Sequence, residues 1–513
     1  MSNSSCTTII VTPKASIDGR MRVAHSCDDA LADHRIVFVA AQDWPEGAMR
    51  PVYPQGICSG ALPRWNANIV PRLYVPGRSD EYSDSLGQAF PTLPVGEIPQ
   101  VRHTYAYLDG NYGIMNEAGL MLGECTCKAW NQCDPEEGKR LFYSAELGRV
   151  ALERCTLAAE AVDLMGSLLE EFGYYGTGET LLVADANDAW VMEMTPSSDG
   201  TGGYWIAQRV PDGEIFVEAN LFRIREIRPD SPDMKMCLYL SEEARKKPGL
   251  DWTEMASRGE YHHPYYSLRR VWRTMNILQP SVEYPTKVDG YLTKAYPFSF
   301  KPDRPVSRED IFRVYRDHLE GTQFDLTKCA AAGPWGNPNL ARSTDDEEKA
   351  GAWERAISMT DTGYAYVLEP GVCWIAMGRP AEVPFVPLMV APIPSEFSHG
   401  SAREFDPDRC AWWRFNLVSQ ASERCYREMI KEISRRQQMS EERAALLLES
   451  GKATPEVLSA LAHATLDEWK ELFAFLSVTF NQGYYTQGGV NQKLSSNPEF
   501  LEAVGFRKGP TKY

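Results

Sequence analysis

Cys6 follows a short run of small and polar residues, Met-Ser-Asn-Ser-Ser. If those five residues leave, one residue carries both a thiol and a free α-amine. In model peptides these groups titrate near ~8.5 and ~7.7–8.0. Nucleophile and general base could then belong to the same residue. Position near a terminus does not by itself separate this from an ordinary strand cysteine. Residues 7–11 (TTIIV) form a β-rich run apolar enough to be buried on both faces. Asp18-Gly19 supplies a turn, and 21–25 reads as a second strand. A chain folded back in this way returns His25, Cys27, Asp28 and Asp29 toward Cys6, placing a thiol beside groups that handle protons.

Two asparagines stand where a rigid amide donor would be useful. Asn116 opens the turn 116–119 between two strand patterns, with Gly119 free to take a positive φ. Such a turn either makes its own side-chain hydrogen bonds or aims an amide at a developing oxyanion. Asn220 ends an apolar strand, where a side chain can face a cleft or simply terminate the strand.

The remaining pattern is mixed. Residues 35–43 read as a strand, and 44–101 as a long Pro/Gly/Asn-rich excursion, either a binding loop or a surface detour. Apolar residues at helical spacing predict one long helix over 144–172, weakened at Gly166 and stopped at Gly173. Two hairpins follow, 179–184 with 189–194 and 203–210 with 215–220. Ser307 caps a helix over 308–319, and strands return at 364–368 and 372–377. From 406 the chain turns helical. One helix runs from Val418 past Arg436, and a second starts at Thr454-Pro455. Together they form a hairpin that packs on the main body or on a second copy of the chain.

With 513 residues, 43% hydrophobic, the chain can build a large core. A formal net charge of −17 and the lack of a Lys/Arg-rich run argue against nucleic acid or anionic membrane as partner. No apolar run of about 18 residues suggests a membrane span. No export leader is visible, so a cytoplasmic location with reduced thiols is expected. The twelve cysteines are scattered without a CxxC, and the adjacent His262-His263 pair diverges on most backbones. No metal or other cofactor is expected from these spacings.

Cys6-Thr7-Thr8-Ile9-Ile10-Val11, Ala15-Ser16-Ile17-Asp18-Gly19 and Ala24-His25-Ser26-Cys27-Asp28 together resemble the start of the C69 dipeptidase family of N-terminal nucleophile (Ntn) hydrolases. Mature chains of that family begin Cys-Thr-Thr. The turn Asn116-Glu117-Ala118-Gly119-Leu120 is similar to one shared with bile salt hydrolases and penicillin V acylases, in which the Asn serves the oxyanion. Segments 179–193, 209–220 and 321–336 carry further family-like motifs, the second ending at Asn220. His25 and Ser26 replace the family's usual Arg and Asn, exchanging a fixed cation for a group that titrates near neutrality.

The resemblance implies an α+β fold, the four-layer αββα sandwich of two mostly antiparallel sheets. It implies a leader at 1–5, a catalytic domain at 6–405 and a helical extension at 406–513. The implied activity is hydrolysis of dipeptides without a cofactor. Cys6 is the nucleophile, Asp28 orients its amine with Asp29 as fallback, Asn116 serves the oxyanion, Asn220 stands on the oxyanion side or the substrate side, and His25 assists. A related N-acyl amidase and a catalytically silent binding protein on the same fold are the alternatives.

Overall fold

The computed structural model describes residues 5–28, 34–54, 94–261, 264–340, 355–358, 362–399 and 405–505. Residues 1–4, Asp29, His262-His263 and most of the 44–101 excursion lie outside the described residues.

The run Ser5–Val11 forms strand β1, and Arg22–Asp28 forms strand β2. Both are buried along their whole length, β1 as a run apolar on both faces requires, β2 with the polar residues Arg22, His25, Ser26 and Asp28 buried in it. They pair antiparallel, with Cys6 opposite Cys27 and Val11 opposite Arg22. The second strand runs three residues beyond the 21–25 expected, because Ser26, Cys27 and Asp28 each find cross-strand partners. β1 and β2 lie near the middle of a seven-stranded sheet, ordered Ser299–Phe300, Ile215–Glu218, β1, β2, Thr362–Glu369, Val372–Ala376 and Val386–Leu388.

An eight-stranded antiparallel sheet faces it, ordered Met234–Met236, Gly203–Arg209, Ala189–Pro196, Gly178–Ala184, Met121–Cys127, Gly113–Asn116, Tyr107–Asp109 and Val37–Val39. β1 and β2 pack against the Met121–Cys127 strand across the gap between the sheets. Alternation along Gly178–Ala184 shows the layering. Leu182 and Ala184 join the core shared with β1 and β2, whereas Leu181 and Val183 join a second core under helices α1 (Ser144–Arg154) and α2 (Ala158–Phe172). On the other side, helices Leu268–Leu278 and Arg308–Tyr315 pack on the seven-stranded sheet. The four αββα layers are therefore present.

Four expectations need correction. The strands Gly203–Arg209 and Ile215–Glu218 are not a hairpin. The turn at Pro211–Gly213 carries the chain from one sheet to the other, so each strand pairs elsewhere. The single helix over 144–172 is two. Cys155 is extended, and the Asp185 carboxylate accepts the Ala158 N–H at 2.9 Å, starting α2 afresh. Residues 35–43 hold two short strands in different sheets, Val37–Val39 and Gln42–Asp43. The late helix that was expected from Val418 past Arg436 is also divided, into Ala411–Ser422 and Tyr426–Glu449.

The helix Pro455–Thr479 starts as its sequence requires. The Thr454 side chain accepts the Val457 N–H, with Pro at the first helical position. Its Trp469 is fully buried, donates to the Glu382 carbonyl and ties these helices to the core. No helix among the described residues is long and apolar enough to cross a membrane.

Candidate active site

The β1–β2 register places Ser5 opposite Asp28, Cys6 opposite Cys27 and Thr8 opposite His25. The Cys6 N–H donates to Asn220 Oδ1 at 3.0 Å. The Cys6 thiol lies 3.5 Å from Glu124 Oε2, and the Cys6 carbonyl accepts from an Arg270 Nη1–H. All four side chains are buried. Burial, followed by the Cys125 thiol and the Glu124 charge, pushes the Cys6 thiol well above its ordinary range. The thiol is thus protonated at rest in this form of the chain.

Asn220 is held in a left-handed conformation (φ 60°), which asparagine tolerates better than most residues. Its carbonyl accepts from Ser267 Oγ at 3.3 Å, and four further hydrogen bonds hold its amide groups. Its N–H donates to Cys125 Sγ at 2.9 Å and its Nδ2 to the Thr126 carbonyl at 2.8 Å, while its Oδ1 accepts from Cys6 and from Arg270 Nη2 at 2.8 Å. The bend after Ile215–Glu218 therefore aims one amide group at the Cys6 nitrogen.

Arg270 is positioned by its helix. Glu260 accepts the N–H groups of Ser267 and Leu268 at 2.7 and 3.2 Å, holding the start of Leu268–Leu278. Arg270 then reaches the Cys6 carbonyl, Thr7 Oγ1 and Asn220 Oδ1 together. Burial raises Glu260 to about 7.

Asp28 forms a buried ion pair with Arg355 and accepts from Thr362 Oγ1 at 2.7 Å. Arg355 also donates to Ser5 Oγ at 2.6 Å, so the residue before Cys6 is held by the same guanidinium. The His25 ring lies between Tyr112, Tyr364 and Tyr366 at centroid distances of 5.1–6.2 Å. Tyr366 Oη donates to the Leu122 carbonyl at 2.9 Å, so at 3.1 Å it can only accept from His25 Nδ1. That places a proton on Nδ1, and in the neutral form of the ring the lone pair is then on Nε2.

Of the residues expected to form the site, Cys6, His25, Asp28 and Asn220 come together. Asn116 does not join them. Both hydrogens of its amide go to the Leu152 and Cys155 carbonyls at 2.8 Å, and its Oδ1 accepts the Leu120 N–H at 2.9 Å. It closes the 116–120 turn and satisfies carbonyls left over at the end of α1, which leaves its amide no hydrogen for an oxyanion.

Glu124, Arg270 and Arg355 were not singled out in the sequence. Each comes from a distant segment, and only the tertiary fold brings it to Cys6. Thr126 Oγ1 donates to Glu124 Oε1 at 2.9 Å, and the neighbouring Glu179 accepts from Tyr143. Burial and the Glu124 charge raise Glu179 well above the usual carboxylate range. Among the described residues, Cys6, His25 and Glu124 offer a thiol, a ring nitrogen and a carboxylate oxygen all within 4.8 Å of one another.

Several known proteins are similar to this chain. A probable dipeptidase B from Lactococcus lactis is 24% identical over 441 residues, covering 80% of this chain and 79% of the relative. A dipeptidase from Bifidobacterium longum is 28% identical over 362 residues, covering 63% and 60%. A probable dipeptidase from Latilactobacillus sakei is 24% identical over 285 residues, and this chain spans about half of its length (54%). Among solved structures, penicillin V acylase from Agrobacterium tumefaciens matches at 10% identity with a TM-score of 0.28, over 76% of this chain and 87% of that one. The model of Peptidase family C69 matches residues 97–439, well over half of the chain, a stretch that contains Glu124, Asn220, Arg270 and Arg355. The chain belongs to peptidase family C69.

Proposed function

We propose that this protein is a cysteine-type N-terminal nucleophile dipeptidase, activated when the Ser5–Cys6 bond is cut by the Cys6 thiol. The observation that carries this reading is the seat of the Cys6 nitrogen, 3.0 Å from Asn220 Oδ1 with the thiol of the same residue beside Glu124. Once Ser5 leaves, an amine in that seat keeps one N–H on Asn220 and gains a lone pair for the thiol proton. Asp28 and Arg355, which hold Ser5 in the uncut chain, then face the vacated position. The names of the relatives support peptide substrates.

In the proposed reaction the Cys6 amine accepts the thiol proton as sulfur bonds to the substrate carbonyl carbon. The second Nδ2 hydrogen of Asn220 supports the oxyanion. The C–N bond then breaks as the ammonium returns its proton to the departing amino acid. Water, deprotonated by the same amine, cleaves the thioester and frees the thiol. Asp28 positions the amine, and His25, with a ring nitrogen within 4.8 Å of the thiol, assists. Glu124 receives the substrate's own ammonium, which in a dipeptide sits one carbon from the attacked carbonyl. That contact neutralises the charge that opposes thiolate formation. An N-acyl amino acid lacks the ammonium and leaves Glu124 buried without its countercharge, so the geometry favours dipeptides over N-acyl amides.

Intact-mass measurement of the active protein, combined with a panel of dipeptides and N-acyl amino acids, tests this. An active chain beginning at Cys6, inactivated by Cys6→Ala, is expected. Dipeptide hydrolysis by a chain still carrying Ser5 would overturn it. Preference for the N-acyl compounds would move the assignment to the amidase alternative.

A further inference from the structure

We propose that Cys6, His25 and Glu124 form a binding site for a divalent transition-metal ion, zinc above all, whose occupation silences the Cys6 thiol. The inference goes beyond the peptidase reading and requires neither leader removal nor turnover, because all three donors are assembled in the uncut chain.

Three observations carry it. The first is distance. Zinc bonds of about 2.3 Å to sulfur and about 2.0–2.2 Å to a carboxylate oxygen, at a tetrahedral angle, separate the two donors by about 3.6 Å. Cys6 Sγ and Glu124 Oε2 are 3.5 Å apart, and a His25 ring nitrogen lies within 4.8 Å of both. Modest side-chain rotation closes the remainder.

The second is the state of the histidine. A metal-bound imidazole holds the metal on one nitrogen and donates its other N–H to a fixed acceptor. His25 already donates from Nδ1 to Tyr366 Oη, which is itself pinned by the Leu122 carbonyl. In the neutral ring so oriented, Nε2 is the nitrogen whose lone pair can bond a metal. An arginine at this position, usual in the resembled family, offers no such lone pair.

The third is charge. A thiolate, a carboxylate and a neutral imidazole around a 2+ ion sum to zero, which suits a site whose three residues are all fully buried. Binding displaces the thiol proton to solvent and forms a metal–sulfur bond. The pair of electrons needed for attack on a carbonyl is then committed to the metal. In a chain that begins at Cys6, the α-amine would add a fourth donor and close a five-membered chelate.

Metal titration of the purified, chelator-stripped chain tests the site directly, with Co2+ as a spectroscopic probe and Zn2+ as competitor. One saturating equivalent of Co2+ with a thiolate-to-cobalt absorption band is expected, displaced by one equivalent of Zn2+. Loss of a partner that only supports a ligand costs about 10–100-fold in affinity, so His25→Gln and Glu124→Gln should each weaken binding at least that much. Cys6→Ser should abolish the band. Wild-type protein that binds no saturable equivalent overturns the proposal, as does binding unchanged in His25→Gln and Glu124→Gln variants with native circular dichroism. Those two variants decide the matter even if Cys6→Ser fails to fold. Peptidase activity falling with zinc occupancy and returning on chelation is a separate readout. Activity that persists at full zinc occupancy would overturn the silencing of Cys6, whereas a metal-binding chain with no peptidase activity at all would count against the dipeptidase reading alone.

Discussion

Asn116 and Asn220 are both fully buried, and their hydrogen bonds set them to different tasks. Asn116 spends its amide on the end of α1 and on its own turn. Asn116→Ala should therefore cost roughly 2–3 kcal/mol of stability in urea unfolding and leave kcat per folded molecule unchanged. A loss of kcat without a loss of stability would return Asn116 to the chemistry. Asn220 holds the Cys6 nitrogen. Asn220→Ala should lower kcat by at least roughly 100-fold, the scale of a lost oxyanion donor, with a smaller effect on KM. Glu124→Gln should reduce kcat/KM for dipeptides by roughly 10–100-fold, the worth of one charge-assisted hydrogen bond, and narrow the preference over N-acyl amino acids. At this scale the sequence revealed the residues local to the first hairpin, because register alone brings His25, Cys27 and Asp28 beside Cys6. It could not separate two asparagines at strand ends, since which way an amide points depends on the helix packed against it. Nor could it reveal Glu124, Arg270 or Arg355, whose partners lie 118, 264 and 327 positions away.

At the scale of elements, Gly166 shows how a local propensity misleads. Inside a helix a glycine costs about 1 kcal/mol relative to alanine, so the sequence marks α2 as weak there. The structure gives the reason for keeping it. A Cβ at Gly166 would lie 2.3 Å from the Trp205 ring, which donates to Glu170 of the same helix at 2.8 Å. Overpacking of this kind typically costs 1–3 kcal/mol and exceeds the propensity gain. Gly166→Ala should therefore lower the unfolding midpoint. A raised midpoint would show that Trp205 moves freely. Elements set by local signals were legible, as with the capping box joining Ser307 and Asp310, the Thr454-Pro455 start and the Gly178–Ala184 and Ala189–Pro196 pair. The pairing of Ile215–Glu218 was not, because Pro211-Asp212-Gly213 reads as a hairpin turn and nothing local records that its two strands serve different sheets. Likewise, the break between α1 and α2 depends on Asp185, a residue of the next hairpin.

At the scale of the whole molecule, the centre of an already acidic chain contains carboxyl groups kept from water. Glu124, Glu179, Glu193 and Glu218 are fully buried. Burial raises Glu179 and Glu218 well above the usual range, Glu193 to about 8 and Glu260 to about 7. Each raised group binds its proton more tightly in the folded chain than in the unfolded one, where a glutamate titrates near ~4.3. The stability it lends is complete below that value and is lost as pH rises through the folded value. Folding stability should therefore decline between about pH 5 and pH 8. Glu193 is the group on which to test this. It accepts the N–H groups of Arg223 and Ile224 at 2.6 and 3.0 Å, and a glutamine oxygen can keep both bonds. Glu193→Gln should remove a pH-dependent term on the order of 3–5 kcal/mol between pH 5 and 9, seen as a flatter dependence of the urea midpoint on pH. The variant should be close to wild type at pH 5 and more stable than wild type at pH 9. Parallel curves for the two proteins would mean that Glu193 is already ionised in the fold, and that its two backbone donors outweigh its burial.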